Sequence, residues 1–240
     1  MLTLQAANDN VTELRIYRPI GPLDDMISVE DVSAAIEGHT GKLRVRINSY
    51  GGDAYEGIAI YNVLRELDDV DTVVDGMAGS AASVIMMSGK RRIMGSATQM
   101  MIHLPRAIVA GESSDLRTAA ERMDKLTDDV AKIYSDSSSL SVQQVMQAMK
   151  RTTYYKAAEA KKLGFATELA QGKSAIAASA KDLDYFRKLG WLGEIPDEIV
   201  QSTRSGDRGP AKRQRAIETQ LLRKRLDARR RTGKSVGRAG

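Results

Sequence analysis

The chain predicts an α/β fold with a largely parallel sheet, and two observations carry that prediction. Strand, helix and strand follow one another three times between residues 14 and 102. Within that stretch, Lys42-Leu43-Arg44-Val45-Arg46-Ile47-Asn48 alternates polar and apolar residues strictly, the pattern of a half-buried strand.

Residues 14–17 read as a first strand, ended by the Pro19-Ile20-Gly21-Pro22 turn. Ser28 with Asp31 three residues on opens a helix that should stop near Gly38 or Gly41. After strand 42–48, Ser49-Tyr50-Gly51-Gly52-Asp53 breaks the alternation. Residues 54–67 are helical, with Ile58, Tyr61, Leu64 and Leu67 at helical spacing. A strand at 71–74 delivers Gly76-Met77-Ala78-Gly79-Ser80, and 81–87 form a short apolar helix. Residues 91–94 and 99–102 are two more short strands. Residues 112–138 form a long charged helix with Leu116, Ala119, Met123, Leu126, Val130 and Ile133 on one face. A helix that long must lie against something, another subunit being one candidate. Helices at 142–149 and 156–163 come next, the second stopped by Gly164, and 165–169 are a last strand or extended end.

Composition sets the limits. The 240 residues, 42% of them hydrophobic, suit one domain over residues 1–200 with an appendage over 201–240. Residues 183–200, with Tyr185, Phe186, Leu189, Trp191, Ile195 and Ile199, are apolar enough to pack on the body. No run approaches the ~20 apolar residues of a membrane span, and the start lacks the pattern of a signal peptide. There is no cysteine, which excludes disulfides, thiol nucleophiles and Cys-ligated zinc; a cytoplasmic protein is expected. The net charge of +5 describes neither part of the chain. Residues 201–240 hold 13 Lys/Arg against 3 Asp/Glu, and the first 200 hold 23 against 28.

The chemistry concentrates around Ser80. It stands at a strand-to-helix junction, where free backbone N–H groups gather and favour negative charge. Ala78, Gly79 and Ala81 leave room for a substrate carbonyl, and the Ala81 N–H is a natural oxyanion donor. Gly51 and Gly52 directly follow a strand, so their bare backbone can supply a second donor. His103, in Met101-Ile102-His103-Leu104-Pro105, ends a strand and can serve as base. Each feature has a plainer reading. A serine there is commonly an N-cap, a glycine pair a turn, and a strand-end histidine structural. Ser83 is placed to bond back onto its own helix, and His39 reads as a solvated turn residue. The conjunction favours a serine hydrolase.

Three ordered motifs resemble the ClpP family of serine peptidases, of crotonase-like fold with repeated β-β-α units. Arg46-Ile47-Asn48-Ser49-Tyr50-Gly51-Gly52-Asp53 is similar to the family's Ile-Asn-Ser-Pro-Gly-Gly strand. Gly76-Met77-Ala78-Gly79-Ser80 is similar to its nucleophile motif, and Met101-Ile102-His103-Leu104-Pro105 to its base motif. The likeness covers about residues 14–170. It implies Ser80 as nucleophile, His103 as base, and Gly52 and Ala81 as oxyanion donors. It also implies that the 112–138 helix is the handle that interleaves two stacked homo-oligomeric rings. Neither metal nor cofactor is called for.

The third member of the triad departs from that pattern. The family places an Asp twelve residues before the glycine matching Gly164, and counting back reaches Thr152. No Asp or Glu lies between Leu140 and Glu159. A threonine hydroxyl can accept from the imidazole but brings no charge, so a slow enzyme is expected. Tyr50 in place of the family's Pro, a short turn at Gly89-Lys90-Arg91 and the basic tail resemble phage-encoded head maturation (prohead) proteases. Their substrates are capsid precursors and scaffold segments. Two alternatives stand beside this. One is a cellular-type ClpP subunit working with an AAA+ unfoldase, since the chain has no phosphate-binding Gly-x-x-x-x-Gly-Lys-Ser/Thr loop of its own. The other is a weakly active, ring-forming structural homologue. The tail reads as a solvated extension, or as a segment that binds acidic protein or nucleic acid or is itself cleaved.

Overall fold

The computed structural model describes residues 2–8 and 11–170. Within them the chain runs β1 (Gln5–Asn8), β2 (Val11–Ile16), α1 (Val29–Ile36), β3 (Lys42–Ser49), α2 (Ala54–Arg65), β4 (Val70–Gly79) and α3 (Ala81–Met86). It continues with β5 (Arg91–Met94), β6 (Gln99–Ile102), α4 (Ser113–Asp136), α5 (Val142–Lys150), β7 (Thr153–Lys156), α6 (Ala157–Lys162) and β8 (Glu168–Leu169). The strands form one sheet in the order β1-β2-β3-β4-β5-β8, with β6 joined to β4 and β7 joined to β6. The pairings among β2, β3, β4, β5 and β8 are parallel, as is β4 with β6; β1 and β7 add antiparallel edges. The predicted mixed α/β class holds.

The strict alternation of β3 separates two environments. Leu43, Val45 and Ile47 are fully buried, each contributing about 1.5–3 kcal/mol of apolar burial. The intervening positions turn their charges to the other face, where ion pairs cover the sheet. Glu13 pairs with Arg15, Arg44 and Arg46, and the buried Asp75 accepts from the Arg46 guanidinium and from the Tyr17 hydroxyl at 2.6 Å. Asp71 pairs with Lys42 and Arg91. The helices begin as their sequences dictate. Ser28 and Asp31 form a reciprocal capping box on α1, and Asp53 caps α2 by accepting from the Glu56 N–H.

A bulge in β4 lets the upper half of that strand take a different neighbour from the lower half. Between the pairs Ile47↔Val74 and Ser49↔Ala78, β3 advances two residues while β4 advances four. The Asn48 side-chain oxygen fills the gap, accepting from the Met77 N–H at 3.2 Å. Below the bulge, residues 71–74 of β4 pair with 91–94 of β5. Above it, residues 77–79 pair with 99–101 of β6. The end of β4 and the end of β6 are therefore neighbours. The Arg92 guanidinium holds the far segments against β5, donating to the carbonyls of Gly89, Ser137, Gly164 and Phe165.

The structure corrects several sequence expectations. β4 extends from Val70 to Gly79 rather than stopping at 74, because the bulge lets it change partners. Strands β1 and β7 were not predicted, and β7 occupies the Thr-Tyr-Tyr run beside Thr152. The long helix, α4, buries Leu126, Val130, Ala131 and Tyr134 in its second half, while Leu116 in the first half is 47% exposed. The packing expected of residues 183–200 and the tail over 201–240 lie outside the described residues. Among the described residues no helix is long and apolar enough to cross a membrane.

Candidate active site

Ser80 follows the last residue of β4 and precedes α3, with φ 51° and ψ −125°. That conformation costs a non-glycine residue about 1–3 kcal/mol and persists only where its surroundings fix it. The Ser80 N–H donates to the Met101 carbonyl at 2.8 Å, which continues the β4–β6 pairing one residue past the ladder. Ser80 occupies the N-cap position of α3, yet its side chain makes no capping bond. Its Oγ lies 2.8 Å from His103 Nε2. Ser80 therefore stands at the N-cap position without its side chain capping the helix.

His103 follows β6 directly and is 8% exposed. Burial, with the nearby Arg106 charge second, pushes its pKa down to about 4, against a smaller raising contribution from the Leu104 backbone. Its Nδ1 is buried and has no hydrogen-bond partner among the described residues. Thr152 comes to the right neighbourhood. Ile102 pairs with Thr153 at the end of the antiparallel β6–β7 ladder, so His103 and Thr152 are the next residues on either side. The Thr152 hydroxyl nonetheless does not accept from Nδ1, and its backbone stands at φ 53°, unfavourable for a β-branched residue. The expected hydroxyl-to-imidazole contact is absent from this arrangement.

The glycine pair closes the other side. Gly51 has φ 102°, and a Cβ there would stand 2.5 Å from the Gly79 carbonyl oxygen, 2.8 Å from the Ala81 nitrogen and 2.8 Å from Ser80 Cβ. Only a bare backbone fits against the serine. The Gly51 N–H is taken by Ser49 Oγ at 3.1 Å. The N–H groups of Gly52 and Ala81 donate to no backbone carbonyl in the described fold, so both remain free to bind an incoming oxygen. His39 stands apart, half-buried after α1.

One group went unread in the sequence. Ser83 does bond back to its helix, to the Ser80 carbonyl at 2.7 Å. Its Oγ also lies 2.9 Å from the Met101 carbonyl and 2.7 Å from the hydroxyl of the buried Tyr134. The signal was the four-residue spacing of Leu126, Val130 and Tyr134, which puts the tyrosine on the buried stripe of α4.

A serine Oγ on an imidazole nitrogen, with free backbone donors alongside, is the starting arrangement for acyl transfer. The Clp protease family matches residues 27–173, and the chain belongs to it. The ATP-dependent Clp protease proteolytic subunit of Bacteroides fragilis is 33% identical over 130 residues, covering 53% of this chain and 63% of that protein. That of Streptococcus mutans is 30% identical over 164 residues, covering 65% of this chain and 84% of that protein. That of Deinococcus radiodurans is 32% identical over 126 residues, covering 51% and 62%. The chain thus spans less than two thirds of the length of the Bacteroides and Deinococcus relatives.

Proposed function

We propose that this protein is a serine endopeptidase that cleaves peptide bonds through an acyl-enzyme on Ser80. The observation that carries this reading is the 2.8 Å contact between Ser80 Oγ and His103 Nε2 at a strained junction where the serine side chain serves no capping role. As Ser80 Oγ bonds to the substrate carbonyl carbon, His103 Nε2 takes the hydroxyl proton. The carbonyl oxygen becomes an oxyanion between the Gly52 and Ala81 N–H groups. His103 then gives the proton to the departing amine, leaving an ester on Ser80. Water, deprotonated by His103, attacks that ester and regenerates Ser80.

The reaction is slow in this chain. Productive attack needs the imidazole proton on Nδ1, and no hydrogen bond from Nδ1 to a described residue selects that tautomer. The low pKa of His103 keeps it neutral but makes it a weak base, and Arg106 opposes the imidazolium that must form.

Stacked homo-oligomeric rings are the assembly. The exposed first half of α4, with Leu116, and the strap before it, with Ile108 at 90% and Val109 at 42% exposed, support burial against further copies of the chain. The biological role is cleavage of capsid precursors and scaffold segments as a phage prohead protease. Tyr50 at the glycine turn and the 13 Lys/Arg of residues 201–240 support this. The second reading, a subunit fed by an AAA+ unfoldase, is favoured by the relatives' name, which states ATP dependence. Turnover of unfolded casein by the full chain, with and without an unfoldase and ATP, separates these. Hydrolysis without ATP that is lost in Ser80→Ala supports the first reading. Equal turnover by Ser80→Ala contradicts the peptidase.

A further inference from the structure

Ser80 is held from behind by two hydroxyls that share a short network. Ser83 Oγ has three oxygen neighbours: the Ser80 carbonyl at 2.7 Å, the Met101 carbonyl at 2.9 Å and Tyr134 Oη at 2.7 Å. Tyr134 Oη also lies 3.4 Å from the Ser80 carbonyl. Both side chains are buried, so their protons must be used within the protein. Carbonyls only accept. The assignment that serves every short contact has the Tyr134 O–H donating to Ser83 Oγ and the Ser83 O–H shared between the carbonyls of Ser80 and Met101.

The carbonyls concerned are not ordinary ones. That of Ser80 belongs to the strained residue bearing the nucleophile. That of Met101 also receives the Ser80 N–H and lies two residues before His103 on the same extended segment. The Ser83 hydroxyl thus bridges the backbone segments of both reacting side chains. Tyr134 polarises that bridge and fixes its direction. The tyrosine ring is itself set by edge-on packing against Phe165, with centroids 6.1 Å apart at 89°. It comes from α4, which otherwise contributes nothing to the site.

Resting on the reading of Ser80 as nucleophile, we infer that Tyr134 is a positioning residue, acting through Ser83 to hold the Ser80 backbone in its attacking conformation against β6. The sequence motifs around Ser80 and His103 do not contain it. Because Tyr134 sits on α4, the same contact ties the seating of that helix to the geometry of the nucleophile.

The experiment is the second-order rate of Ser80 modification by a fluorophosphonate, measured on the full chain well below its melting temperature. Wild type, Tyr134→Phe, Ser83→Ala and the double variant are compared, with thermal melts of each. Tyr134→Phe keeps the ring and removes one hydroxyl. It should slow modification roughly 3- to 10-fold, and Ser83→Ala should slow it at least as much. The double variant should be no slower than Ser83→Ala alone, since the tyrosine acts only through that hydroxyl. With a peptide substrate the loss should fall on kcat and leave KM unchanged. A Tyr134→Phe protein that melts lower but reacts at the wild-type rate makes the hydroxyl merely structural and overturns the inference, as does a full additional loss in the Ser83→Ala background. If Tyr134→Phe fails to fold, a wild-type rate for Ser83→Ala overturns it equally. Wild type that is not modified at Ser80 overturns the nucleophile reading and this inference with it.

Discussion

Thr152 and His103 are the residues just past the same end of the β6–β7 ladder, yet no hydrogen bond joins them, and the imidazole's Nδ1 is buried without a partner among the described residues. Ser80 Oγ thus contacts an imidazole whose other nitrogen no described residue engages. On the proposed mechanism, that pairing gives a geometry competent for attack and predicts a low rate.

Replacing Thr152 with Asp should raise activity. The backbone at φ 53° suits Asp better than a β-branched residue. A carboxylate there would accept from Nδ1, fix the productive tautomer and steady the imidazolium. In a different serine protease, exchanging the triad Asp for Asn costs ~10⁴ in rate; a gain of roughly tenfold or more in kcat is expected here. The acid limb of kcat/KM should move up from about 4 towards the ordinary imidazole range. An unchanged rate and profile for T152D would show that the histidine is not limited by its missing partner.

His103 also makes stability depend on pH. Its pKa is about 4 in the folded chain against 6.5 for a free imidazole. Between those values the unfolded chain holds a proton that the folded chain does not, so stability rises with pH across the window. The contribution is complete above about 6.5 and is lost as pH falls through about 4, with a total of roughly 3 kcal/mol. Urea unfolding of wild type and His103→Gln across this range measures it. The difference between the two should change by that order, and a constant difference contradicts the assignment.

Gly51→Ala should unfold the site. The new Cβ would meet the Gly79 carbonyl and the Ala81 nitrogen, both backbone atoms that cannot swing away, and φ 102° adds strain. A loss of roughly 3 kcal/mol or more is expected, read as a fall in melting temperature together with failure of Ser80 to react. A variant with wild-type stability would mean that the glycine turn is looser than its contacts require.

Arg46→Met tests the charged face of the sheet. Asp75 is almost fully buried, with the guanidinium and the Tyr17 hydroxyl as its partners. Removing the arginine leaves a buried carboxylate without its counter-charge, at a cost of about 3–5 kcal/mol. Urea unfolding reads this directly, and Arg46→Met with Asp75→Asn should recover part of the loss. A neutral single variant would contradict the pairing.

Much of this arrangement is legible in the sequence because local rules and tertiary packing agree. The alternation of β3 and the cap at Ser28 are local signals, and each element begins where its signal stands. Ser80, His103, Ala81 and the Gly51-Gly52 pair stand out for the same reason, since small residues and a strand end are visible in the chain, and the family resemblance is what singles out Gly52. β1, with Gln5 and Asn8, and the four-residue β7 do not, because edge strands this short lack an apolar period and exist through their neighbours. The Ser80 side chain defies the common N-cap pattern because His103 competes for it. The spacing on α4 shows that Tyr134 is buried, but its contact is hidden for a related reason. Its role depends on a hydroxyl 51 residues away in sequence, and no local pattern encodes that meeting.

The most direct test of Ser80 as the attacking group is incubation of the full chain with an alkyl fluorophosphonate at mildly alkaline pH, with the product located by peptide mass mapping. One adduct on Ser80 is expected, slower to form in His103→Ala and absent in Ser80→Ala, with both variants melting as cooperatively as wild type. An adduct on another residue, or no adduct on folded wild type, would contradict it.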